Sequence, residues 1–528
     1  MKVAVAGALQ AGRAHNRGII RTYRSIRPPA GTRRTCEHRP MTTDANDGQW
    51  LDATAQAELV RAGAVTPTEL VEAAIARIEA RNPRCNAVIT PMFEKARAAA
   101  AGPLPDGPFR GVPMLLKDAV AHSAGDPYHC GMQVLKDAGY VAPSDTELVA
   151  RYRAAGFVIL GKTNLPELAT SATTEPLAFG ATHNPWNLDH SPGGSSGGSG
   201  AAVASGMVAV AHGNDMGGSI RIPASACGLV GLKPTRGRNS LGPGFGEYWA
   251  LTTHEHVLTR SVRDTAAVLD ATAGPVPGDP YYAPPPTRPF RDEVGADPGR
   301  LRIGVRTRRP RTTDDVHPDC VAAANVAARA LEALGHHVEV VDLPALDDPA
   351  LGESLGGIFG TFVARDLDRW SATLGRTIDP AELEPWNQAL VEGGRSVTAA
   401  RYIAALERAN DYARGLARFW APTDDGGDGY DLLVTPQLGA PPPPLGVLGP
   451  GNAGPGLSEA MGALTVFTFP FNITGQPAVS LPLHRNGDGL PIGVQLVAAY
   501  AREDVLLRVA AQLEEALPWA DEHPAWCA

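Results

Sequence analysis

A run of glycine and serine, PGGSSGGSG at residues 192–200, stands directly before a stretch of small apolar residues, GAAVASGMVAVAHG. Taken alone, such a run is typical of a flexible linker, of a loop whose amides surround a phosphate, or of a catalytic loop that needs glycine geometry. A linker would not lead straight into segments with the pattern of a buried helix and strand. A phosphate loop of the GxxxxGK[ST] type would end in lysine, and none follows here. The pattern therefore favours a catalytic loop.

Strand and helix patterns alternate along the chain from Trp50 onward, which predicts an α/β fold. TPTELVEAAIARIEARN predicts a helix that Thr66 caps, with Pro67 in its first turn and Glu69 completing a capping box. RLRIGVRT and HHVEVVDL predict strands on either side of a helix over 320–334, and GFVILGKTN predicts another strand. AREDVLLRVAAQLEEAL predicts a final amphipathic helix, and the Pro/Gly-rich segments 274–289 and 438–456 predict surface loops.

Composition limits the classes of partner. The chain has 528 residues, is 44% hydrophobic and carries a formal net charge of −9. An acidic balance does not favour nucleic acid, and no apolar run has the length that a membrane span requires. Six cysteines lack metal-ligand spacing, so we expect free thiols in a reducing, cytoplasmic compartment and no metal or other cofactor.

The first 40 residues differ from the rest, because they hold eight Arg and one Lys against a single acidic residue, Glu37. An Arg-rich, acid-poor start can be a transit peptide. Met41 opens MTTDANDGQW, a plausible translation start. We therefore expect residues 1–40 to be a basic extension that is disordered or absent from the native protein, with the folded domain over 41–528.

A second Gly/Ser loop follows the first, in GNDMGGSIRIPASACGLVGLKPTRGR. Together with GGSSGGS, the upstream GVPMLLKDAV and GKTNLPELA, and the downstream FTFPFNITGQPAVSLP and GLPIGVQLVA, this block resembles the amidase signature family. The resemblance covers nearly all of residues 50–517 and is greatest to bacterial members of the 6-aminohexanoate-cyclic-dimer hydrolase type. It implies a single domain with a central mixed β-sheet wrapped by α-helices.

The resemblance also implies an amidase that uses a Ser–cisSer–Lys triad and an acyl-enzyme. Ser219 matches the nucleophile, Ser195 matches the bridging serine after a cis peptide bond, and Lys117 matches the base. A lysine can accept a proton at neutral pH only if burial lowers its pKa, and the apolar GVPMLL before Lys117 predicts a buried strand end. A lone lysine is more often a solvated surface charge, but this context favours the catalytic role.

Supporting roles follow from the same resemblance. The backbone amides of Met216, Gly217, Gly218 and Ser219 are expected to form an oxyanion hole, with Met216 replacing a threonine that is frequent in the family. Ser196 and Asp215 are expected to hold the lysine and the loop, although ordinary turn capping would also explain them. Arg221 is expected in a structural ion pair and Ser171 in the substrate pocket, whereas His183, His190 and His212 are expected to be structural.

The substrate remains open at the level of sequence. Segments 240–256 and 345–470 are expected to build the pocket, and Phe467, Phe469 and Trp386 suggest that it is apolar, although aromatic residues are more often core. We expect a small-molecule amide as the partner, and a homodimer is left open. Two alternatives also stay open: a glutaminase subunit of a tRNA-dependent amidotransferase, and a non-catalytic binding protein on the same fold.

Overall fold

The computed structural model describes residues 47–527 other than 313, 349, 423–428 and 453–455, and gives no side-chain description for 350–357. The described residues belong to one compact unit. The basic segment 1–40 lies outside the described residues. Among the described helices, none is both long enough and apolar enough to cross a bilayer.

One mixed sheet runs through the unit. Its strands are β1 (Val88–Pro91), β2 (Pro113–Lys117), β3 (Val158–Thr163), β4 (Val210–Asp215), β5 (Val230–Lys233), β6 (His254–Thr259), β7 (Arg302–Val305), β8 (His337–Val340), β9 (Leu432–Pro436), β10 (Ala478–Arg485) and β11 (Pro491–Ala498). Their spatial order is β1-β3-β2-β4-β6-β5-β10-β11-β9-β7-β8. The pairs β2–β3, β2–β4, β7–β8 and β7–β9 are parallel and the others antiparallel, so the predicted mixed sheet is confirmed.

Helices surround this sheet. They are α1 (Ala53–Arg61), α2 (Pro67–Cys85), α3 (Phe93–Ala101), α4 (Gln133–Asp137), α5 (Glu147–Ala154), α6 (Gly197–Ala204), α7 (Arg221–Cys227), α8 (Val262–Thr272), α9 (Pro318–Ala333), α10 (Ala350–Leu374), α11 (Pro385–Arg395), α12 (Ala399–Ala417), α13 (Leu457–Thr465), α14 (Phe469–Thr474) and α15 (Glu503–Ala516).

Local sequence signals place several of these elements correctly. Thr66 accepts a hydrogen bond from the Glu69 amide and Glu69 accepts one from the Thr66 amide, so α2 begins with the predicted capping box. The predicted β–α–β unit is confirmed, with β7 and β8 parallel and α9 between them. Residues 274–289 contain no helix or strand, as the Pro/Gly content predicts.

The hydrophobic core divides along the sheet. Helices α9 and α15 pack on β9, β10 and β11, and their buried faces form one large apolar cluster with these strands. Helices α2 and α6 pack near β3 and β4 in a second cluster. Helix α7 packs on β5, β10 and β11, so the loop before α7 stands against the middle of the sheet.

Candidate active site

Two neighbouring parallel strands bring the predicted lysine and the second Gly/Ser loop together. Lys117 is the last residue of β2 and Asp215 is the last residue of β4, and these strands pair in parallel. Since parallel strands end at the same edge of a sheet, both chain segments leave the sheet side by side. The carboxyl edge of such strands is the usual position of a ligand site in α/β folds.

Lys117 is completely buried, as every residue of β2 is. Its Nζ lies 2.7 Å from Ser195 Oγ and 2.5 Å from Asn214 Oδ1. Among the described residues, no carboxylate forms an ion pair with it. Burial lowers the pKa of Lys117 to about 7, although Glu255, Cys130 and Asp215 act in the opposite direction. A substantial neutral fraction at neutral pH follows.

The first Gly/Ser run positions Ser195. The Gly194–Ser195 peptide is cis, as the resemblance implies, and α6 begins two residues later. A Cβ atom on Gly194 would overlap the backbone of Thr173, and one on Gly198 would stand 2.5 Å from the backbone nitrogen of Asn164. The glycines therefore permit close backbone packing, and the linker interpretation does not apply to this run.

The second Gly/Ser loop, residues 216–220, is held by a buried ion pair. Asp215 accepts two hydrogen bonds from the Arg221 guanidinium, each 2.9 Å long, and both side chains are buried. Burial alone would raise the pKa of Asp215, but the Arg221 cation and hydrogen bonds from Arg221 and Asn472 hold it well below its usual range. The ion pair expected of Arg221 is thus present. It fixes both ends of the loop that carries Ser219.

The four amides of this loop differ in what they contact. The Gly218 amide donates to Asp215 Oδ1 over 2.7 Å, so the structure removes it from the expected set of oxyanion donors. The carboxylate at the end of β4 takes that amide because it anchors the loop. Within the described part of the chain, no acceptor is found for the amides of Met216, Gly217 and Ser219. Unpaired amides in a mostly buried loop are rare, and three together are able to donate hydrogen bonds to an anion.

Ser196 acts on the lysine less directly than expected. Its hydroxyl donates to the backbone oxygen of Asn214 over 3.3 Å, and it is the Asn214 side chain that contacts Lys117. The Asn214 amide nitrogen donates to the backbone oxygen of Ala119 over 3.2 Å, which fixes the orientation of the amide. Sequence reasoning missed Asn214, although it stands in the GND motif beside Asp215.

Asn472 is a second residue that sequence reasoning missed. Its side chain accepts a hydrogen bond from Arg221 over 2.7 Å and donates to Asp215 Oδ1 over 2.8 Å. It belongs to the FTFPFNITGQPAVSLP motif that carries the resemblance, far from the loop in sequence. The signal was therefore the motif itself, since local patterns give no reason to link Asn472 to residue 215.

Ser219 faces a cavity of about 290 Å³, which we call the catalytic cavity. Its walls include Ser171, Ile222, Trp249, Phe359, Trp386 and Phe469, and no charged side chain is among its described walls. Both expected pocket segments, 240–256 and 345–470, contribute to it. Phe467 does not: it is buried in the core cluster of β9–β11, so its assignment to the pocket is wrong.

Among the hydrogen bonds of the described residues, none links Ser195 and Ser219 directly, whereas one joins Lys117 to Ser195. Catalytic hydrogen bonds are frequently long before substrate binds, so this geometry is compatible with a relay. Ser219 is 8% exposed and Ser195 is 1% exposed, which places the first at the cavity surface and the second behind it.

Neither a cluster of metal ligands nor a disulfide is found in the described part of the chain. No group of three or more His, Cys, Asp or Glu side chains there could hold a metal ion. The five cysteines described, at 85, 130, 227, 320 and 527, are free and buried. His212 contacts Glu255 and His183 contacts the backbone oxygen of Leu188, in line with structural roles.

Residues 69–507 match the Amidase family. The chain is 48% identical to 6-aminohexanoate-cyclic-dimer hydrolase of Paenarthrobacter ureafaciens over 90% of this chain and 96% of that protein. A solved structure of 6-aminohexanoate cyclic dimer hydrolase complexed with substrate is similar at 47% identity and a TM-score of 0.87, covering 91% of this chain and 100% of that one. A bacterial aryl acylamidase of the amidase signature family is similar at 26% identity and a TM-score of 0.80, covering 89% and 97%.

Proposed function

This chain belongs to the amidase signature family, and from that premise we propose that it hydrolyses amides through Ser219, Ser195 and Lys117. The observation that carries the proposal is the state of Lys117. It is buried, has only neutral hydrogen-bond partners, and its pKa is lowered to about 7. A surface lysine or an ion-paired lysine would stay charged and could not accept a proton.

Acylation begins with proton transfer. Neutral Lys117 accepts the proton of Ser195 while donating to Asn214 Oδ1, and Ser195 in turn accepts the proton of Ser219. The Ser219 oxygen attacks the amide carbonyl, and the proton returns through Ser195 to the leaving nitrogen. Direct transfer from Ser219 to Lys117 is disfavoured because the hydrogen bond of the lysine goes to Ser195.

The amides of Met216, Gly217 and Ser219 then stabilise the tetrahedral oxyanion. Loss of a single donor of this kind costs about 3 kcal/mol of transition-state stabilisation in other hydrolases. The Asp215–Arg221 pair holds these amides in place before substrate arrives, so little reorganisation is needed. Water attacks the acyl-enzyme by the same relay, and the acid leaves.

The catalytic cavity indicates an uncharged substrate near the scissile bond. Its walls are mainly apolar and aromatic, with Ser171 as one of few polar groups. A cyclic diamide of the kind named for the 48% identical relative has no charge and a flexible apolar chain, so it fits this lining. Glutamine would bring an ammonium and a carboxylate on its acyl side, which disfavours the amidotransferase alternative.

Turnover of a substrate panel tests the proposal. Primary amides, anilides, the cyclic dimer of 6-aminohexanoate and glutamine should be compared, with hydroxylamine added to trap the acyl-enzyme as a hydroxamate. We expect turnover of at least one uncharged amide, and loss of both turnover and fluorophosphonate labelling in Ser219→Ala. Ser396→Ala, at the exposed serine that directly follows α11, is the matched control. Folded protein that turns over no amide, or a Ser219→Ala variant that keeps full turnover, would contradict the assignment and favour a binding role.

A further inference from the structure

A second cavity of about 240 Å³ lies next to the catalytic cavity. The two cavities share Met216 and Ala169 as walls. Met216 is 5% exposed, and its unbranched side chain can change rotamer without moving the backbone amide that faces the oxyanion. A movable side chain thus stands between the two spaces.

The second cavity lies on the side of the lysine. Ala119 and Val120, which follow Lys117 closely in the chain, form part of its wall. Asn214 links this wall to the lysine, since it donates to the Ala119 oxygen and accepts from Lys117 Nζ. The nitrogen that leaves during acylation receives its proton from Lys117 through Ser195, so the amine half is expected toward the lysine rather than away from it.

The far part of the second cavity carries a cation. Arg369 lines it, stacks over the Phe245 ring at 4.3 Å, and has Asp366 Oδ1 at 4.0 Å. Asp366 already accepts a hydrogen bond from the Tyr248 hydroxyl at 2.5 Å. Within the described residues, the Arg369 guanidinium donates no hydrogen bond. It is about one-third exposed, and its 4.0 Å ion pair with Asp366 leaves its N–H groups available to an anionic group.

Helix α10 runs beside both cavities and sets the distance between them. Phe359 lines the catalytic cavity and Arg369 lines the second one, ten residues later on the same helix. At 1.5 Å per residue, the two positions are about 15 Å apart along the helix axis. Because helical side chains lean toward the N-terminus of their helix, Arg369 is expected to shorten this distance, and a leaving amine needs a chain of several carbons to meet it.

We propose that the second cavity binds the amine half of a linear amide and that Arg369 selects amine halves that end in a carboxylate. The class is therefore an amide of an ω-amino acid, with the acyl half in the catalytic cavity. This inference rests on the proposed amidase function.

The test uses amides that share one uncharged acyl group and differ in the leaving amine: ammonia, hexylamine and 6-aminohexanoate. The measured quantity is the ratio of kcat/KM for the 6-aminohexanoate amide to that for the hexylamide. We expect Arg369→Met to lower this ratio about 10-fold, as loss of one hydrogen bond to a charged group would do. Arg369→Lys should restore part of it, and Arg401→Met, at an exposed arginine of α12 outside both cavities, should leave the ratio as in the wild type.

A second variant tests the cavity without changing charge. Gly244 lines the second cavity, and a Cβ atom there would meet no atom within 4 Å, so Gly244→Trp places a large ring at the cavity wall without a clash at Cβ. It should lower kcat/KM for the hexylamide relative to the primary amide, whereas Gly415→Trp, at an open position of α12, should not. If the wild type turns over these amides and neither the Arg369 nor the Gly244 variant changes its ratio, the inference is wrong while the proposed function stands. Absence of turnover of every amide would overturn the proposed function as well.

Discussion

Replacing Lys117 with Met should remove one component of the pH dependence of stability. Methionine keeps the length of the side chain and removes the amine from a site where it is fully buried. The wild-type lysine is protonated in the unfolded chain below its ordinary pKa of 10.5, but in the folded protein only below about 7. Between these values the unfolded state binds more protons, so the free energy of unfolding of the wild type rises with pH.

The size of this component follows from the two pKa values. Each pKa unit corresponds to 1.36 kcal/mol, so the lysine makes the folded state less stable by about 5 kcal/mol below pH 7 than above pH 10.5. Below about pH 7 both states are protonated and the contribution is constant. From pH 7 to pH 9, the wild type should gain about 2 kcal/mol relative to Lys117→Met.

Urea unfolding of the wild type and Lys117→Met at pH 7 and pH 9 measures this difference directly. Other titrating groups contribute equally to both proteins, so they cancel in the comparison. Lys95→Met, at a side chain that is 46% exposed and paired with Asp126, is the control for loss of a lysine outside the buried site. If Lys117→Met is strongly and equally destabilised at both pH values, then the lysine is charged and paired in the free enzyme. The neutral-base assignment would then fail.

Four further results are expected. The kcat/KM for an amide should rise with pH through about 7 and reach a plateau; a flat profile from pH 5 to 9 would exclude a base with the pKa of Lys117. Lys117→Ala should reduce amide hydrolysis at least about 100-fold more than hydrolysis of an activated ester with the same acyl group, because only the amide needs a protonated leaving group. Asn214→Ala should move the rise of the pH profile about one pH unit lower, since Asn214 Oδ1 favours the charged lysine; an unmoved profile would contradict the contact. Asp215→Asn should lower the free energy of unfolding by about 3–5 kcal/mol in urea titrations, because it leaves Arg221 buried and unpaired.

Local chemistry explains which parts of the fold were predictable. The capping box at Thr66, the strand–helix–strand unit of β7, α9 and β8, and the final helix α15 are each encoded within a short window of sequence. The order of the eleven strands is not, because it depends on long-range pairing that no local pattern records. The general sheet architecture came from the resemblance alone.

The candidate site shows the same limit at the level of single residues. Phe467 and Phe469 are two positions apart, yet Phe467 packs into the core of β9–β11 and Phe469 lines the catalytic cavity. Composition does not distinguish a core position from a cavity-wall position here, because both need an apolar ring. Asn214 was equally hidden, since an asparagine beside a strand-ending aspartate is usually a turn residue. Its role follows only from the position of Lys117 on the neighbouring strand.

Arg221 and Lys117 are both buried at the site, but only Arg221 is paired with the carboxylate of Asp215. Arg221 takes Asp215 in a two-bond ion pair, and Asn472 supports both partners. Lys117 is left with a hydroxyl and an amide oxygen, which stabilise its charge far less than a carboxylate would. If Asp215 instead turned toward Lys117, the lysine would stay charged and the loop would lose its anchor. One ion pair thus serves both requirements of the proposed chemistry, because it fixes the oxyanion amides and leaves the base without a counter-ion.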